Sequence, residues 1–149
     1  MGFPYTTYIS SIQGSTIAYA TGGVIGGLNE LYPVPNSGFI QGVVITAKST
    51  VATQIVAIFF GTSMPNTTFT DHSSINISSA DTPNCQSVVH VTDWSYGSTA
   101  CSIGTANGLA YRYTAGTGER QHLWYALVAR GALIVNSTAD FTVSVTIVS

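Results

Sequence analysis

The sequence predicts an all-β protein, an antiparallel β-sandwich or jelly roll of about seven to nine short strands. Three observations support this fold class. Val, Ile, Thr, Tyr and Ser are plentiful, whereas the helix formers Glu and Lys are almost missing. No segment carries the apolar stripe with a period of about 3.6 residues that marks an amphipathic helix. Gly, Pro, Asn and Ser divide the chain into short β-prone runs, as turns between strands do.

The strand predictions depend on alternation and on short apolar runs. Residues 139–148 form the clearest strand, because apolar and polar residues alternate there with a period of two. Residues 122–130 are apolar on both faces, which is typical of a central strand covered on both sides. The runs 39–47 and 54–61, joined by a short polar stretch, indicate a hairpin or an adjacent pair. Further candidate strands are 86–94, 109–113, 7–12, 16–20 and 75–78.

Residues 1–38 differ in composition from the rest of the chain. They are rich in Tyr, Thr, Ser and Gly, and Glu30 is the first charged residue. We therefore predict an N-terminal arm or assembly segment at 1–38, packed on a neighbouring molecule, and a β-sandwich domain at 39–149. The glycine cluster at 22–27 lacks the spacing of a nucleotide-binding loop, so we expect it to serve a tight turn or a close backbone contact.

Charged residues make up only 7% of the chain, against about 25% in an average soluble protein. With a net charge of −2 and four Lys and Arg residues in total, the sequence offers no basic surface for nucleic acid. So few charges leave little electrostatic repulsion between copies. We expect much of the neutral surface to lie in protein interfaces. The alternative is a secreted, Ser- and Thr-rich β-protein that is simply poor in charge.

No apolar run approaches the roughly 20 residues of a membrane helix, and the N-terminus lacks the order of regions found in signal peptides. We therefore expect synthesis in a cytoplasm and no membrane partner. Cys85 and Cys101 allow either one disulfide or two free thiols, and a cytoplasmic origin favours free thiols. No Cys-x-x-Cys or His-x-x-x-His spacing occurs, and we expect no bound metal and no cofactor.

Asp71, His72 and Ser73 are the residue types of a hydrolytic triad, but three consecutive side chains point apart and do not line up for proton transfer. A triad of distant residues that includes His90 or His122 stays open, although no Gly-x-Ser-x-Gly turn supports it. Because both histidines fall in predicted strands, we interpret them as structural. We therefore predict no catalytic residue and no enzymatic activity.

Two further features each allow two interpretations. Asp71 and Asp81 flank a loop, where they would either bind a cation or cap turns; we favour capping, because the spacing matches no dense calcium loop. The aromatic residues, 11% of the chain, form either core and subunit interface, which we favour, or a sugar-stacking face. Those considered are Trp94, Tyr96, Tyr111, Tyr113, Trp124 and Tyr125.

Two stretches of the chain resemble parts of small virion proteins of tailed bacteriophages. The first comprises Ile58-Phe59-Phe60, Met64-Pro65, Thr68-Phe69-Thr70-Asp71 and then Asp81: an apolar strand ending in Phe, a proline, a Thr-x-x-Asp turn and a second Asp. The second comprises Leu123 to Gly131 and Ser137 to Val143, and it resembles the ending of the same proteins. The resemblance covers residues 39–149. It implies a virion component of the capsid decoration (cement) type, made in the host cytoplasm, with a β-sandwich fold and often dimeric or trimeric on the shell.

On this resemblance we expect a structural protein that binds the major capsid protein at junctions between its subunits and stabilises the shell. The expected contact residues are Phe3, Tyr5 and Tyr8 in segment 1–38, and Trp94 and Tyr96 in a loop after a strand. The alternative is a tail or fibre module that binds a host glycan through exposed Trp and Tyr. A hydrolase ranks last, because the sequence offers no nucleophile motif.

Overall fold

The computed structural model describes residues 5–14, 16–51, 53–61, 63–98, 101–115, 121–135 and 141–149. In this part of the chain ten strands form two antiparallel sheets, which confirms the predicted all-β sandwich. A short 3-10 turn at Thr82–Asn84 precedes the fifth strand. The strands are β1 (Tyr5–Ile12), β2 (Val24–Val34), β3 (Ser37–Ala47), β4 (Ile55–Phe60), β5 (Cys85–Val91), β6 (Asp93–Ser98), β7 (Cys101–Ala106), β8 (Tyr111–Thr114), β9 (Gln121–Ala129) and β10 (Phe141–Val148).

The two sheets differ in size and order. The six-stranded sheet has the order β1-β10-β3-β7-β6, and its sixth strand, β8, also pairs with β3. The four-stranded sheet has the order β2-β9-β4-β5. Residues 43–47 of β3 pair with β7 and residues 37–40 pair with β8, so β7 and β8 lie end to end along one side of β3.

The hydrophobic core lies between the sheets and is built from the inward-facing residues of alternating strands. Phe141 and Val143 enter it from β10, while Phe59, Tyr125 and Leu127 enter it from the four-stranded sheet. The rings of Phe59 and Tyr125 pack with their centroids 5.6 Å apart. Each large side chain buried in this way contributes about 1.5–3 kcal/mol relative to exposure, which is why the two sheets pack face to face.

Most of the strand predictions are confirmed. β9 and β10 lie where the sequence predicts strands at 122–130 and 139–148, although 139–140 fall outside the described residues. β1, β3, β4 and β8 also coincide, within a few residues, with predicted strands. Period-two alternation therefore located the strands that have one buried face.

The predicted hairpin of 39–47 and 54–61 is wrong. The two runs form β3 and β4, which lie in different sheets, because the polar stretch between them crosses from one sheet to the other. The single strand predicted at 86–94 is also wrong, since the chain leaves the strand conformation at Thr92. The result is two strands, β5 and β6, that again belong to different sheets.

Two candidate strands, 16–20 and 75–78, contain no strand. Tyr19 forms only an isolated antiparallel bridge with Leu133. Its ring is buried and its hydroxyl donates a hydrogen bond to Asp71, so the β-prone residues of this segment pack as a loop. Both segments contain β-branched and aromatic residues, such as Ile17, Tyr19 and Ile75, whose β propensity does not distinguish a strand from an extended loop.

The segment 1–38 contributes two strands to the sheets, where we expected a separate arm. β1 pairs with β10 along its whole length, and β2 pairs with β9. Ile25 and Leu31 of β2 are buried in the core. The expected boundary falls inside β3 and does not divide the fold. The strand character of β2 is concealed in the sequence because Gly26 and Gly27 form a bulge that interrupts its period.

Gly26 illustrates why this bulge needs glycine. Its φ is +77°, a conformation that side chains rarely adopt, and a Cβ there would overlap the side chain of Ile12. Gly22, at the other end of the cluster, lies in a turn with φ +86°. The expected roles of the glycine cluster at 22–27, a tight turn and a close contact, are thus confirmed.

Candidate interaction surfaces

The outer face of the six-stranded sheet, the side away from the core, is almost uncharged. Over their described ranges β1, β3, β7 and β10 contain no charged residue. The two charged residues in strands of this sheet are Asp93 at the start of β6 and Arg112 in β8. Because a protein surface ordinarily carries about a quarter to a third of its residues as Lys, Arg, Glu and Asp, this face has few of the charges that keep molecules apart.

Strand register shows how the outer face is composed. Hydroxyl groups and apolar side chains lie together in rows that run across the strands. In one row Ile9 lies opposite Ser144, which lies opposite Val44. Another row runs from Thr142 through Thr46 to Ile103, whose side chain is 43% exposed. The residues of these strands that face outward are Tyr5, Thr7, Ile9, Ser11, Phe39, Gln41, Val44, Thr46, Ile103, Thr105, Thr142, Ser144, Thr146 and Val148.

A shallow apolar depression lies at one end of this face. Tyr5 pairs with Val148, which pairs with Phe39, and these three side chains border a volume of about 250 Å³ together with Leu109 and Ala110. Tyr5 and Phe39 are 62% and 45% exposed, so two aromatic rings face solvent here. Exposed apolar groups that cluster in this way are typical of surfaces that other molecules cover.

A polar depression of about 270 Å³ adjoins the apolar one and shares Gln41 with it. Its other lining residues are Gly42, Asn107, Gly108 and Thr146. A Cβ on Gly42 would lie 2.7 Å from Oδ1 of Asn107, so the Asn107 amide packs directly on the β3 backbone. The two depressions together provide amide and hydroxyl groups beside aromatic rings, with no charged residue among their lining residues.

Two of the three contact residues predicted in segment 1–38 lie within the described residues. Phe3 lies outside the described residues. Tyr5 is exposed on the outer face at the β1 edge. Tyr8 points the other way: it packs against the core, its hydroxyl donates a hydrogen bond to the carbonyl of Pro33, and burial raises its pKa. Of the two described tyrosines, Tyr5 is therefore the one that presents a ring to an outside partner.

Trp94 and Tyr96 lie in β6, not in the loop where we expected them, because the chain re-enters a strand at Asp93. The Trp94 ring lies over Gly104 and packs against the core. Tyr96 is 53% exposed and donates a hydrogen bond to the carbonyl of Val51. β1 and β6 are opposite ends of the sheet order, so the structure does not bring these two residues together with Tyr5.

A stack of three rings lies on the four-stranded sheet, and no sequence pattern predicts it. His122 lies between Tyr32 and Trp124, with ring centroids 4.3 Å and 5.5 Å away, and the rings are within 20° of parallel. Nδ1 of His122 is 3.0 Å from a carboxylate oxygen of Glu30. Only the pairing of β2 with β9, including the register shift before Val34, makes these residues neighbours.

Residues 63–84 form a long segment that covers part of the outer side of the four-stranded sheet. Backbone hydrogen bonds join it to β2: His72 N–H donates to Val24 O, and Val24 N–H donates to Ser73 O. The ring of Phe69 packs on Phe60, at a centroid distance of 5.5 Å. This segment contains the candidate triad residues Asp71, His72 and Ser73, and it also contains Asp81, the second carboxylate considered for a cation.

Asp81 caps backbone amides of this segment, as favoured from the sequence, whereas Asp71 accepts from a tyrosine hydroxyl and a β2 amide that lie outside it. Asp81 Oδ1 accepts from Asn66 N–H at 3.0 Å, and Oδ2 accepts from Thr67 N–H at 2.6 Å. The Thr67 hydroxyl and these amides hold the pKa of Asp81 at about 2, well below its usual value. Asp71 Oδ1 accepts from the hydroxyl of Tyr19 at 2.7 Å and from Gly26 N–H at 2.8 Å.

The candidate catalytic residues are engaged in separate structural contacts. His72 hydrogen-bonds through Nε2 to the carbonyl of Ile17 and stacks on Tyr19, so its ring does not bridge Asp71 and Ser73. His90 hydrogen-bonds to the amide of Gln54. Within the described ranges, no three His, Cys, Asp or Glu side chains are grouped closely enough to hold a metal ion. Over the same ranges, no helix has the length and apolar character needed to span a membrane.

The fold defines the chain as an all-β sandwich with one largely uncharged sheet face. No family model matches the sequence, and no curated protein matches it either.

Proposed function

We propose that this chain is a structural, non-enzymatic protein of a phage particle, a capsid decoration (cement) protein that binds the major capsid protein. The observation that carries the proposal is the almost uncharged outer face of the six-stranded sheet. Tyr5, Ile9, Phe39 and Ile103 expose apolar surface there between rows of hydroxyl groups. Covering such a face with protein removes apolar area from water and desolvates few charges, so association is favourable. The sequence resemblance of residues 39–149 supports the assignment to a phage particle.

The mechanism is thermodynamic. A protein that binds the assembled shell, and does not bind its separated subunits, stabilises the shell by mass action. Many copies on one shell add their effects, and each copy needs only modest affinity. The hydroxyl rows suit this role, because Ser and Thr both donate and accept hydrogen bonds at the rim of an interface.

The contacts of the polar residues support a structural role. Asp71 joins segment 63–84 to β2 through Gly26 N–H, and His72 joins it to the carbonyl of Ile17. Asp81 fixes the backbone within the segment through Asn66 N–H. A catalytic group needs free access to a substrate atom. These side chains instead serve the fold, and His122 is likewise stacked between two rings.

Copy number on the particle tests the proposal. Quantitative mass spectrometry on virus particles grown from a genome that carries this gene should find hundreds of copies per particle, in a fixed ratio to the major capsid protein. A few copies per particle would place the chain in the tail or in a fibre. Absence from purified particles would overturn the assignment to a virion.

A matched pair of variants tests the binding face. Ile103→Lys puts a charge on β7 in the almost uncharged face, and Ile134→Lys puts the same charge on a residue outside the strands that is also exposed. When added to shells assembled without the chain, Ile103→Lys should lower the affinity at least about tenfold, because a lysine would be buried on binding. Ile134→Lys should bind like the wild type. Equal loss of binding in both variants would show that this face is not the contact.

A second candidate function is a tail or fibre module that binds a host glycan, and the ring stack of Tyr32, His122 and Trp124 beside Glu30 favours it. Aromatic rings and a carboxylate are groups that bind a sugar by stacking and hydrogen bonding. The stack is a better candidate than Trp94, which packs against the core. Glycan-array binding by the purified chain that disappears in Tyr32→Ala would support this function, and an array with no signal would exclude its glycans as ligands.

A further inference from the structure

β1 forms an edge of the six-stranded sheet. The two sheet orders end in β1 and β6 and in β2 and β5. Among the described residues, no strand pairs with β1 on the side away from β10. Such an edge presents unpaired N–H and C=O groups in alternation, and these groups form a template for another strand.

The other edge strands, β2, β5, β6 and β8, carry features that discourage pairing, whereas β1 does not; β8 is only four residues long and contains Arg112. β2 contains Glu30 and Pro33 and has two register shifts. β6 begins with Asp93 and is irregular near its end, and β5 contains His90 and has a shift beside Cys85. Over its described range β1 has no charge, no proline and no shift, and it forms eight consecutive pairs with β10. Natural proteins ordinarily protect long, regular edges with one of these features.

We propose that two copies of this chain pair edge to edge through antiparallel β1 strands, so that their six-stranded sheets join into one continuous sheet. The two-fold axis lies perpendicular to the sheet, which keeps both outer faces on the same side. This arrangement goes beyond the proposed function, because self-association does not depend on what the outer face binds.

The exposed side chains of β1 suit this pairing. Tyr5 and Ile9 are 62% and 71% exposed, although both lie within a strand. With Thr7 on the two-fold axis, Tyr5 of one copy lies directly opposite Ile9 of the other, twice per dimer. Aromatic and β-branched side chains in directly opposed positions stabilise antiparallel pairs. Because each copy uses its own β1 in a self-complementary contact, the assembly closes at two copies and does not grow into a filament.

Sedimentation velocity of the full chain over a wide concentration range tests the pairing. The wild type should show a monomer–dimer equilibrium. Ile9→Lys should raise the dimer dissociation constant at least about tenfold, because two lysines would be brought to the edge where copies meet. The control Ile134→Lys changes a residue of similar exposure outside the strands and should leave the dimer dissociation constant unchanged. Ile103→Lys should also leave it unchanged, which separates edge pairing from binding through the sheet face.

Amide hydrogen exchange, read residue by residue, provides a test that needs no variant. In a monomer, alternate amides of β1 point away from β10 and should exchange rapidly, whereas in the dimer all of them should be slow. Protection of those alternate amides should therefore rise with protein concentration. A wild type that stays monomeric throughout, or a dimer in which alternate β1 amides still exchange rapidly, would overturn the proposal. Neither result bears on shell binding, which is measured separately.

Discussion

Ser102 donates a hydrogen bond from its hydroxyl to the carbonyl of Ser49 at 2.7 Å, and this contact joins β7 to the connection between the two sheets. The same oxygen accepts from Val51 N–H at 2.9 Å. Ser102 is fully buried, so both hydrogen bonds are shielded from water. One hydroxyl thereby holds the stretch that crosses from β3 to β4.

We predict that Ser102→Ala lowers the free energy of unfolding by about 2–3 kcal/mol, because it leaves a buried amide and a buried carbonyl short of a partner. Ser87→Ala is the matched control: Ser87 is also a nearly buried strand serine, but its hydroxyl has no hydrogen-bond partner among the described residues. That change should leave stability equal to the wild type or slightly higher. Urea unfolding followed by circular dichroism measures both, and similar losses in the two variants would contradict the role given to Ser102.

The lowered pKa of Asp81 predicts that the stability of the folded chain depends on pH. Its pKa is about 2 in the folded chain against an ordinary 3.8, so the folded state favours the charged carboxylate. The stabilisation is complete above about pH 4 and is lost as the pH falls towards 2. Asp81→Asn should lower the melting temperature at neutral pH, and the difference from the wild type should shrink across this acid range. Thermal melts of both proteins over that range test it, and a difference independent of pH would contradict the charge-based explanation.

Alanine substitutions at Gly26 and Gly108 distinguish the stability cost of a strained backbone from the cost of steric overlap. Both have positive φ, +77° and +69°, but a Cβ would overlap Ile12 only at Gly26, whereas Gly108 has open space around it. Gly108→Ala should cost about 1 kcal/mol from the backbone conformation alone. Gly26→Ala should cost more than about 2 kcal/mol, because it adds overpacking. Denaturant unfolding of the two variants gives the comparison, and equal costs would indicate that Ile12 moves aside freely.

The two cysteines should behave as separate thiols. Neither forms a disulfide and both are half-buried, Cys85 in the four-stranded sheet and Cys101 in the six-stranded sheet. Burial raises the pKa of the Cys85 thiol, which reduces its reactive thiolate form at neutral pH. In a Cys101→Ser variant, alkylation of Cys85 should be slow in the folded chain and much faster in denaturant. Mass spectrometry follows the reaction, and rapid alkylation of the folded variant would contradict the burial.

Sequence patterns predicted individual strands better than the way they connect. β10 alternates strictly, so its position and its buried face follow from period two. β3 and β4 have equally clear patterns, yet nothing in a hydrophobic pattern states whether two neighbouring strands pair or enter opposite sheets. β2 was missed because its glycine bulge and Pro33 break the alternation on which the prediction depends.

The surfaces were less predictable than the strands, because a surface depends on register. Tyr5, which we predicted as a contact residue, is exposed, whereas Trp94 is turned towards the core by the face it occupies on β6. The stack of Tyr32, His122 and Trp124 combines two strands that are distant in sequence, so no local motif marks it. The capping of Asp81 by Ser78 was predictable, because these residues are three apart in sequence, whereas the bonds from Asn66 and Thr67 span 15 and 14 residues.

The position of β10 between β1 and β3 sets the order in which the chain acquires its structure. Thr7 and Thr146, which face each other in the sheet, are 139 residues apart. During synthesis β1 must therefore wait for the last described strand before it finds its neighbour, and β2 must wait for β9 in the same way. Closing such long loops makes folding slow. Until β9 and β10 are made, β1 and β2 lack their partner strands and are exposed to association with other chains. Efficient production of this protein should consequently depend on chaperones and on low temperature more than its small size suggests.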